Sequence, residues 1–433
     1  MTALPAISPC GRTTFVASTA VSNIDVGATV AHLARCQRFA YGYATARAPD
    51  AIGGSDAESI RGVLLGTCRK MGRGVHRKPP LRRQGASMIE FASVVEKARL
   101  IDPAGNAAEQ VIEHRTDPLT STVASINAAL SEKAKSFFLG ATDVQLLSEF
   151  QKKTRQDCPF CSVAEKGTRF PPNFVKEGQL RIGMSVAVPN LFSKSVFDSV
   201  AIIDPLRHVL FPSQIASEAL ADAVRVSCEL VRRARSREPS LVHHVVGMNF
   251  LGPGGSSLPH PHFQVHVRTV PYSGVARLLQ LSAAFLERTG RSYWEALIEK
   301  EKQVGARSIG STGRVEWLAA YAPAHQREIW GVLPGTGSLA ELTENDADGF
   351  AAGIAKVISF YEAVGSHPFT FAFFSSPEAG SGRHFALHVK LCSRPPFRSF
   401  YSNYDTWFTP KLIGDDAHTQ APEQYAEILR QRW

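Results

Sequence analysis

No uninterrupted apolar run in the 433 residues is long enough to cross a bilayer, so the sequence predicts no membrane span and no membrane partner. Cysteine is scarce and badly placed for disulfides. There are seven, at 10, 36, 68, 158, 161, 228 and 392, an odd number with one close pair. That excludes a disulfide-stapled scaffold and predicts a reducing, cytoplasmic setting. Acidic residues are scarce in one segment. Residues 1–87 hold 12 Lys and Arg against four acids, a net charge of +8 out of +9, so the remaining 346 residues (433 − 87) carry about +1. The basic balance belongs to that segment, and the rest of the chain gives no reason to expect a nucleic-acid partner. A hydrophobic content of 44% provides core for two or three domains.

Residues 1–87 read as a basic extension, disordered or lying ahead of a natural start at Met88. The fold begins after it, with a short helix expected over Glu90 to Arg99. The chain is organised around Asn249 to His266, N-F-L-G-P-G-G-S-S-L-P-H-P-H-F-Q-V-H. A Gly/Ser loop runs into a segment where His260, His262, Gln264 and His266 alternate with Pro261, Phe263 and Val265. Alternation at period two puts the polar set on one face of a strand. A loop rich in backbone N–H groups before such a strand can hold an anion against imidazoles.

Asp157-Cys158-Pro159-Phe160-Cys161 contains a Cys-x-x-Cys with three open readings: a redox pair, unmetallated thiols, or half of a zinc site. The zinc reading needs two further ligands, and His208 and His260 are available as a Cys₂His₂ set. Strands are expected at Ser185–Val188, Ser199–Ile203 and Leu241–Phe250, with a helix capped by Ser217 between the last two. The order then recurs. A strand at Arg327–Leu333 precedes a helix capped by Thr343 and Asp346 that carries Phe350, Ile354, Val357 and Tyr361. A strand at Phe369–Phe374, a Gly/Ser loop at Ser375–Gly382 and a strand at Ala386–Leu391 follow, which implies an internal duplication.

Cys-Pro-Phe-Cys, His208 and Ser257-Leu258-Pro259-His260-Pro261-His262-Phe263-Gln264 together resemble galactose-1-phosphate uridylyltransferase, a double-fold member of the histidine triad superfamily. The resemblance spans roughly residues 110–433. It implies an α+β fold of two tandem histidine-triad-like domains, each an antiparallel sheet with flanking helices. Residues 88–270 would be the catalytic, zinc-bearing copy and 271–433 a non-catalytic copy shaping the acceptor pocket. The implied reaction moves a nucleoside monophosphate from a nucleotide sugar to a phosphorylated acceptor through a covalent nucleotidyl-histidine. His262 would be the nucleophile, with Gln264 and Ser257 contacting the phosphate. Asn190, Asn249, Gly255 and Ser256 would join Ser257 and Gln264 in holding nucleotide and phosphate. Cys158, Cys161, His208 and His260 would hold one structural zinc, and the resemblance also implies a homodimer. Two alternatives stand beside it: a nucleotide-sugar phosphorylase using inorganic phosphate, and a catalytically silent, zinc-stabilised nucleotide-binding protein.

The sequence departs from the family pattern in places. Leu278 and Lys390 stand where a second metal site would need Glu and His, which leaves His388, so no second metal is expected. Two arginines expected after Arg115–Ser121 have only Lys133 and Lys135 as candidates. A Lys/Glu pair for the hexose phosphate falls near Asp405 and Lys411, so the sugar cannot be named. His388-Val389-Lys390, the second copy of the motif, is expected to lack the nucleophile, and His266 to be structural or on the surface.

Overall fold

The computed structural model describes residues 89–131, 140–400 and 405–433. The expectations for residues 1–87, Met88, Lys133 and Lys135 lie outside these. Arg82–Trp433 forms one compact unit.

The duplication is visible as two copies of one topology. The first comprises β4 (Leu180–Ile182), β5 (Ser185–Pro189), β6 (Phe197–Ile202), β7 (His243–Phe250) and β8 (His262–Arg268). The second comprises β9 (Ser308–Thr312), β10 (Val315–Ala319), β11 (Ile329–Leu333), β12 (Phe369–Phe374) and β13 (Leu387–Ser393). Each copy is an antiparallel five-stranded set, and β7 pairs with β12 to join them into one ten-stranded sheet. Gly247 lies on that seam. A Cβ there would stand 2.7 Å from the carbonyl oxygen of Phe371, so only glycine lets the two strands meet at this point.

Helices α1 (Val144–Gln156) and α2 (Val163–Lys166) precede the first copy. Helix α3 (Ser217–Arg237) belongs to the first copy, and α4 (Ser273–Thr289) and α5 (Tyr293–Val304) lead into the second. Helix α6 (Glu344–Ala363) is the second copy's counterpart of α3. Period-two alternation decides what each sheet face carries. Phe263, Val265 and Val267 of β8 and Leu387, Val389 and Leu391 of β13 join the main core under α3 and α6. The opposite face carries His262, Gln264 and His266 on β8, and His388 and Lys390 on β13.

Most expected elements occur within one to three residues of the positions read from sequence. Thr343 caps α6, accepting from the backbone N–H of Asp346. Ser217 does not cap α3: it opens the helix after Ala216, and no side chain caps that end. The helix expected at Glu90–Arg99 is instead strand β1 (Ala92–Ile101), paired along its whole length with β2 (Ala107–Thr116). Val94 and Val95 favour the extended form, and ten cross-strand pairs override the helix propensity of Glu96 to Arg99. β1 and β2 continue through β3 (Val123–Ile126) to β14 (Asp416–His418), and α7 (Pro422–Arg430) ends the chain. Arg115 on β2 and Arg307 both donate to Glu423 of α7, at 2.8 and 2.7 Å, which ties the small sheet to the second copy.

One buried polar contact crosses the seam. His244 on β7 contacts the Val242 carbonyl through Nδ1 at 2.9 Å and the Ser375 hydroxyl through Nε2 at 2.7 Å. The carbonyl only accepts, so Nδ1 carries the hydrogen, Nε2 accepts from Ser375, and the ring is neutral. Burial pushes its pKa down to about 4. The unfolded chain takes up this proton near pH 6.5, so between 6.5 and 4 the unfolded state binds more protons and stability falls as pH falls. Urea unfolding should show wild type losing about 3 kcal/mol relative to His244→Gln between pH 7 and pH 4. Parallel pH profiles for the two proteins would contradict this assignment.

Candidate functional site

Four side chains from three separate segments converge behind the start of β8. Cys158 and Cys161 flank the turn before α2, His208 follows β6, and His260 stands two residues before β8. Their ligating atoms all lie within 4.8 Å of one another, and the group could hold a metal ion. His260 Nδ1 is 3.5 Å from the Sγ of both Cys158 and Cys161, and His208 Nδ1 is 3.6 Å from the Sγ of Cys161. The far nitrogens are engaged elsewhere. His260 Nε2 donates to the Asp204 carbonyl at 3.0 Å, and His208 Nε2 lies 3.0 Å from the Thr154 hydroxyl. That hydroxyl donates its own proton to the Phe150 carbonyl at 2.8 Å, so His208 Nε2–H is the donor toward it. Both imidazoles therefore turn an Nδ1 lone pair toward the sulfurs, held by the kind of outer hydrogen bonds that orient metal ligands. Burial pushes the His260 pKa down to about 4, keeping that lone pair free of a proton.

His262 is buried and opens β8, with its ring turned the other way. Its Nδ1 donates to the carbonyl of His260 at 2.7 Å, so Nε2 holds the lone pair. Burial lowers its pKa below the ordinary imidazole value. Phe160, between the two cysteines, packs edge-on against it with ring centroids 5.1 Å apart. His262 thus sits in the wall of a cleft of about 450 Å³. Gln264, Ser257, Asn190, Lys166 and Lys194 share that wall, and no Asp or Glu is among the described residues lining it. Among the described residues neither ammonium has a partner, so the cleft's electrostatic character is cationic.

Other residues singled out in the sequence fall elsewhere. Gly255 and Ser256 are not in the cleft wall: their N–H groups close the loop on itself, donating to the carbonyls of Gly252 at 2.8 Å and Leu251 at 3.0 Å. Asn249 pairs with Thr370 across the seam and underlies Gly255. Asn190 reaches the cleft, but its amide donates to Asp198 Oδ1 at 3.1 Å and accepts from the N–H of Phe192 at 3.1 Å. His266 lies 3.6 Å from the same Asp198, half-buried, in a structural position. Asp405 is paired with Arg394, and Lys411 is exposed.

The second copy differs from expectation in an informative way. His388 repeats the local geometry of His262, with Nδ1 donating to the carbonyl two residues back, Ala386, at 2.8 Å. An imidazole does therefore stand at the equivalent position; what the copy lacks is access. Trp294 of α5 covers the ring with centroids 4.1 Å apart, and Phe374 stacks on it at 5.0 Å. Lys390 lies over the Trp330 ring at 4.1 Å, and Leu278 belongs to the apolar cluster containing Trp294 and Trp330.

Sequence reasoning missed Phe160, Lys166, Lys194 and Asp198. Phe160 was in view as a spacer between cysteines. The lysines and Asp198 carry no motif: α2 brings Lys166 to the cleft, the connection between β5 and β6 brings Lys194, and β6 sets Asp198 beside β8.

No family model matches the sequence. An uncharacterized protein of Archaeoglobus fulgidus is 32% identical over 353 residues, covering 80% of this chain and 99% of that protein. Among solved structures, an ADP-glucose phosphorylase from Arabidopsis thaliana with bound ADP-glucose aligns with a TM-score of 0.56 at 16% identity, covering 74% of this chain and 99% of that one. A GalT-like protein from the same plant aligns with a TM-score of 0.55 at 16% identity, over 74% and 98%. A uridylyltransferase aligns with a TM-score of 0.51 at 16% identity, over 58% of this chain and 85% of its own. The chain belongs to one family with the Archaeoglobus fulgidus protein, and it has the fold seen in the ADP-glucose phosphorylase, the GalT-like protein and the uridylyltransferase.

Proposed function

We propose that the protein is a nucleotidyltransferase that moves a nucleoside monophosphate from a nucleotide sugar to a second phosphate by way of His262. One observation carries the reading: a neutral imidazole, its tautomer fixed by the His260 carbonyl, offers a lone pair at Nε2 in the wall of an acid-free, cationic cleft. Nε2 attacks the α-phosphorus; the P–N bond forms as the bond to the bridging oxygen breaks, and the sugar 1-phosphate leaves with that electron pair. An oxygen of the acceptor phosphate then attacks phosphorus, the P–N bond breaks, and the neutral imidazole returns. Two displacements replace one harder one. Gln264 and Ser257 hydrogen-bond the phosphate oxygens, and the lysines offset charge gathered by two phosphorylated substrates.

The metal group fits zinc. Bonds of about 2.3 Å to sulfur and 2.05 Å to nitrogen at the tetrahedral angle set sulfur and nitrogen about 3.6 Å apart, close to the 3.5 and 3.6 Å separations here. Cys158, Cys161, His208 and His260 would hold it, and an ion with four protein ligands would serve to hold the fold. The carbonyl of His260 sets the orientation of His262.

Incubation with nucleotide sugars labelled at the α-phosphate, followed by a denaturing gel, tests the proposal. The expected result is an acid-labile, alkali-stable label, discharged by inorganic phosphate or a sugar 1-phosphate; which of the two discharges it faster separates a phosphorylase from a sugar-phosphate transferase. Absence of label with UDP-, ADP- and GDP-sugars alike would count against transfer and for a silent binding protein.

A further inference from the structure

We infer that the cleft takes a nucleobase by its flat faces and does not read its edge, so that the chain discriminates weakly among adenine, guanine, cytosine and uracil; this rests on the nucleotide cleft proposed above. Recognising a base by its edge takes the side-by-side donor and acceptor of an amide or, for guanine, a cation aimed at O6 and N7. The cleft wall holds two amides. Gln264 lies one strand position pair beyond His262, on the same face, where the phosphate must be. Asn190 is turned to the protein, with both ends engaged by Asp198 and the N–H of Phe192. Thr168 has given its proton to the carbonyl of Pro189. Lys166 and Lys194 are donors alone, and phosphate is their natural partner.

What the wall offers in place of edge-reading groups is apolar. Leu191 and Phe192 are 72% and 77% exposed and line the lip, adjacent apolar surface that a flat group bound in the cleft would cover. Their presentation is fixed by the loop. The N–H of Lys194 donates to Asp198 Oδ2 at 2.6 Å, the Ser193 hydroxyl to the Asn190 carbonyl at 3.2 Å, and the Ser195 hydroxyl to the Phe197 carbonyl at 2.8 Å. A hydrogen-bonded loop that holds an aromatic ring outward beside a cationic cleft suits a flat, weakly polar group attached to phosphate. Stacking tolerates any base, because every base has a π-face.

Binding of AMP, GMP, CMP, UMP and ribose 5-phosphate to the full chain, measured by calorimetry, tests this. The four nucleotides should bind within about fivefold of one another, because an apolar pocket without edge-reading groups separates related ligands weakly. Ribose 5-phosphate should bind at least about tenfold more weakly, lacking the stacked base. Phe192→Ala should weaken all four nucleotides in parallel and leave ribose 5-phosphate unchanged. One nucleotide bound about a hundredfold more tightly than the others, or a Phe192→Ala loss confined to one base, would overturn the inference and leave the transferase proposal standing. Failure of all four to bind would overturn both.

Discussion

His262→Ala should abolish covalent labelling and lower turnover by about 10⁴-fold or more, while metal content stays at the wild-type value. A 10⁴-fold loss corresponds to about 5.5 kcal/mol of transition-state stabilisation, which is large because in the proposed reaction His262 would form the bond itself with no neighbour to replace it. His260 is two residues away, but its Nδ1 faces the cysteines and its Nε2 is bound to Asp204. His266 is held against Asp198. The separate fates of these rings also make the experiment clean, since His262 is not among the four residues that could hold a metal ion. His262→Gly gives a second arm: added imidazole should restore part of the turnover without restoring the label on the protein. A labelled His262→Ala protein would place the nucleophile elsewhere and overturn the mechanism.

Cys158→Ser should take zinc from about one per chain to nearly none and lower the unfolding midpoint by on the order of 10 °C. Structural zinc contributes about 10–16 kcal/mol in isolated fingers, and the loss here is smaller because a large core remains around the site. Cys158 is buried, and the four ligands draw together the cysteine turn, the segment after β6 and the approach to β8. Losing the ion frees His260, whose carbonyl fixes the ring of His262, so labelling should fall as well. Thr154→Val provides a milder test. It removes the acceptor for His208 Nε2, and outer partners of this kind typically change metal affinity by about 10–100-fold. Full metal occupancy in Cys158→Ser would mean that the four residues are not the ligand set.

Much of the site could be read from the sequence because its chemistry is concentrated in short patterns. His-Pro-His-x-Gln on a period-two strand fixes which face each ring occupies, and the Cys-x-x-Cys finds its two histidines by resemblance. The repeated element order was legible because both copies keep the same polar-apolar alternation. The seam between the copies was not, because strand pairing partners are set by contacts more than a hundred residues apart, here Gly247 with Ala372. Strand β1 was misread as helix for a different reason: ten cross-strand pairs with the adjacent strand β2 outweigh the helix propensity of Glu96 to Arg99. The cleft lip was illegible because Lys194 and Phe192 become neighbours of His262 only through the fold. The second copy shows the opposite failure. Its histidine was visible, but the tryptophan that seals it comes from a helix with no motif.

The β7–β12 ladder has a meaning in descent. Two like copies meeting edge to edge, antiparallel, are arranged as two subunits of a symmetric dimer would be, with the covalent connection added afterwards. In a true dimer of identical halves, any change that improved one site would be imposed on both. Once the halves share a chain each can change alone, and these differ: Trp294 covers His388, whereas His262 lines a cleft.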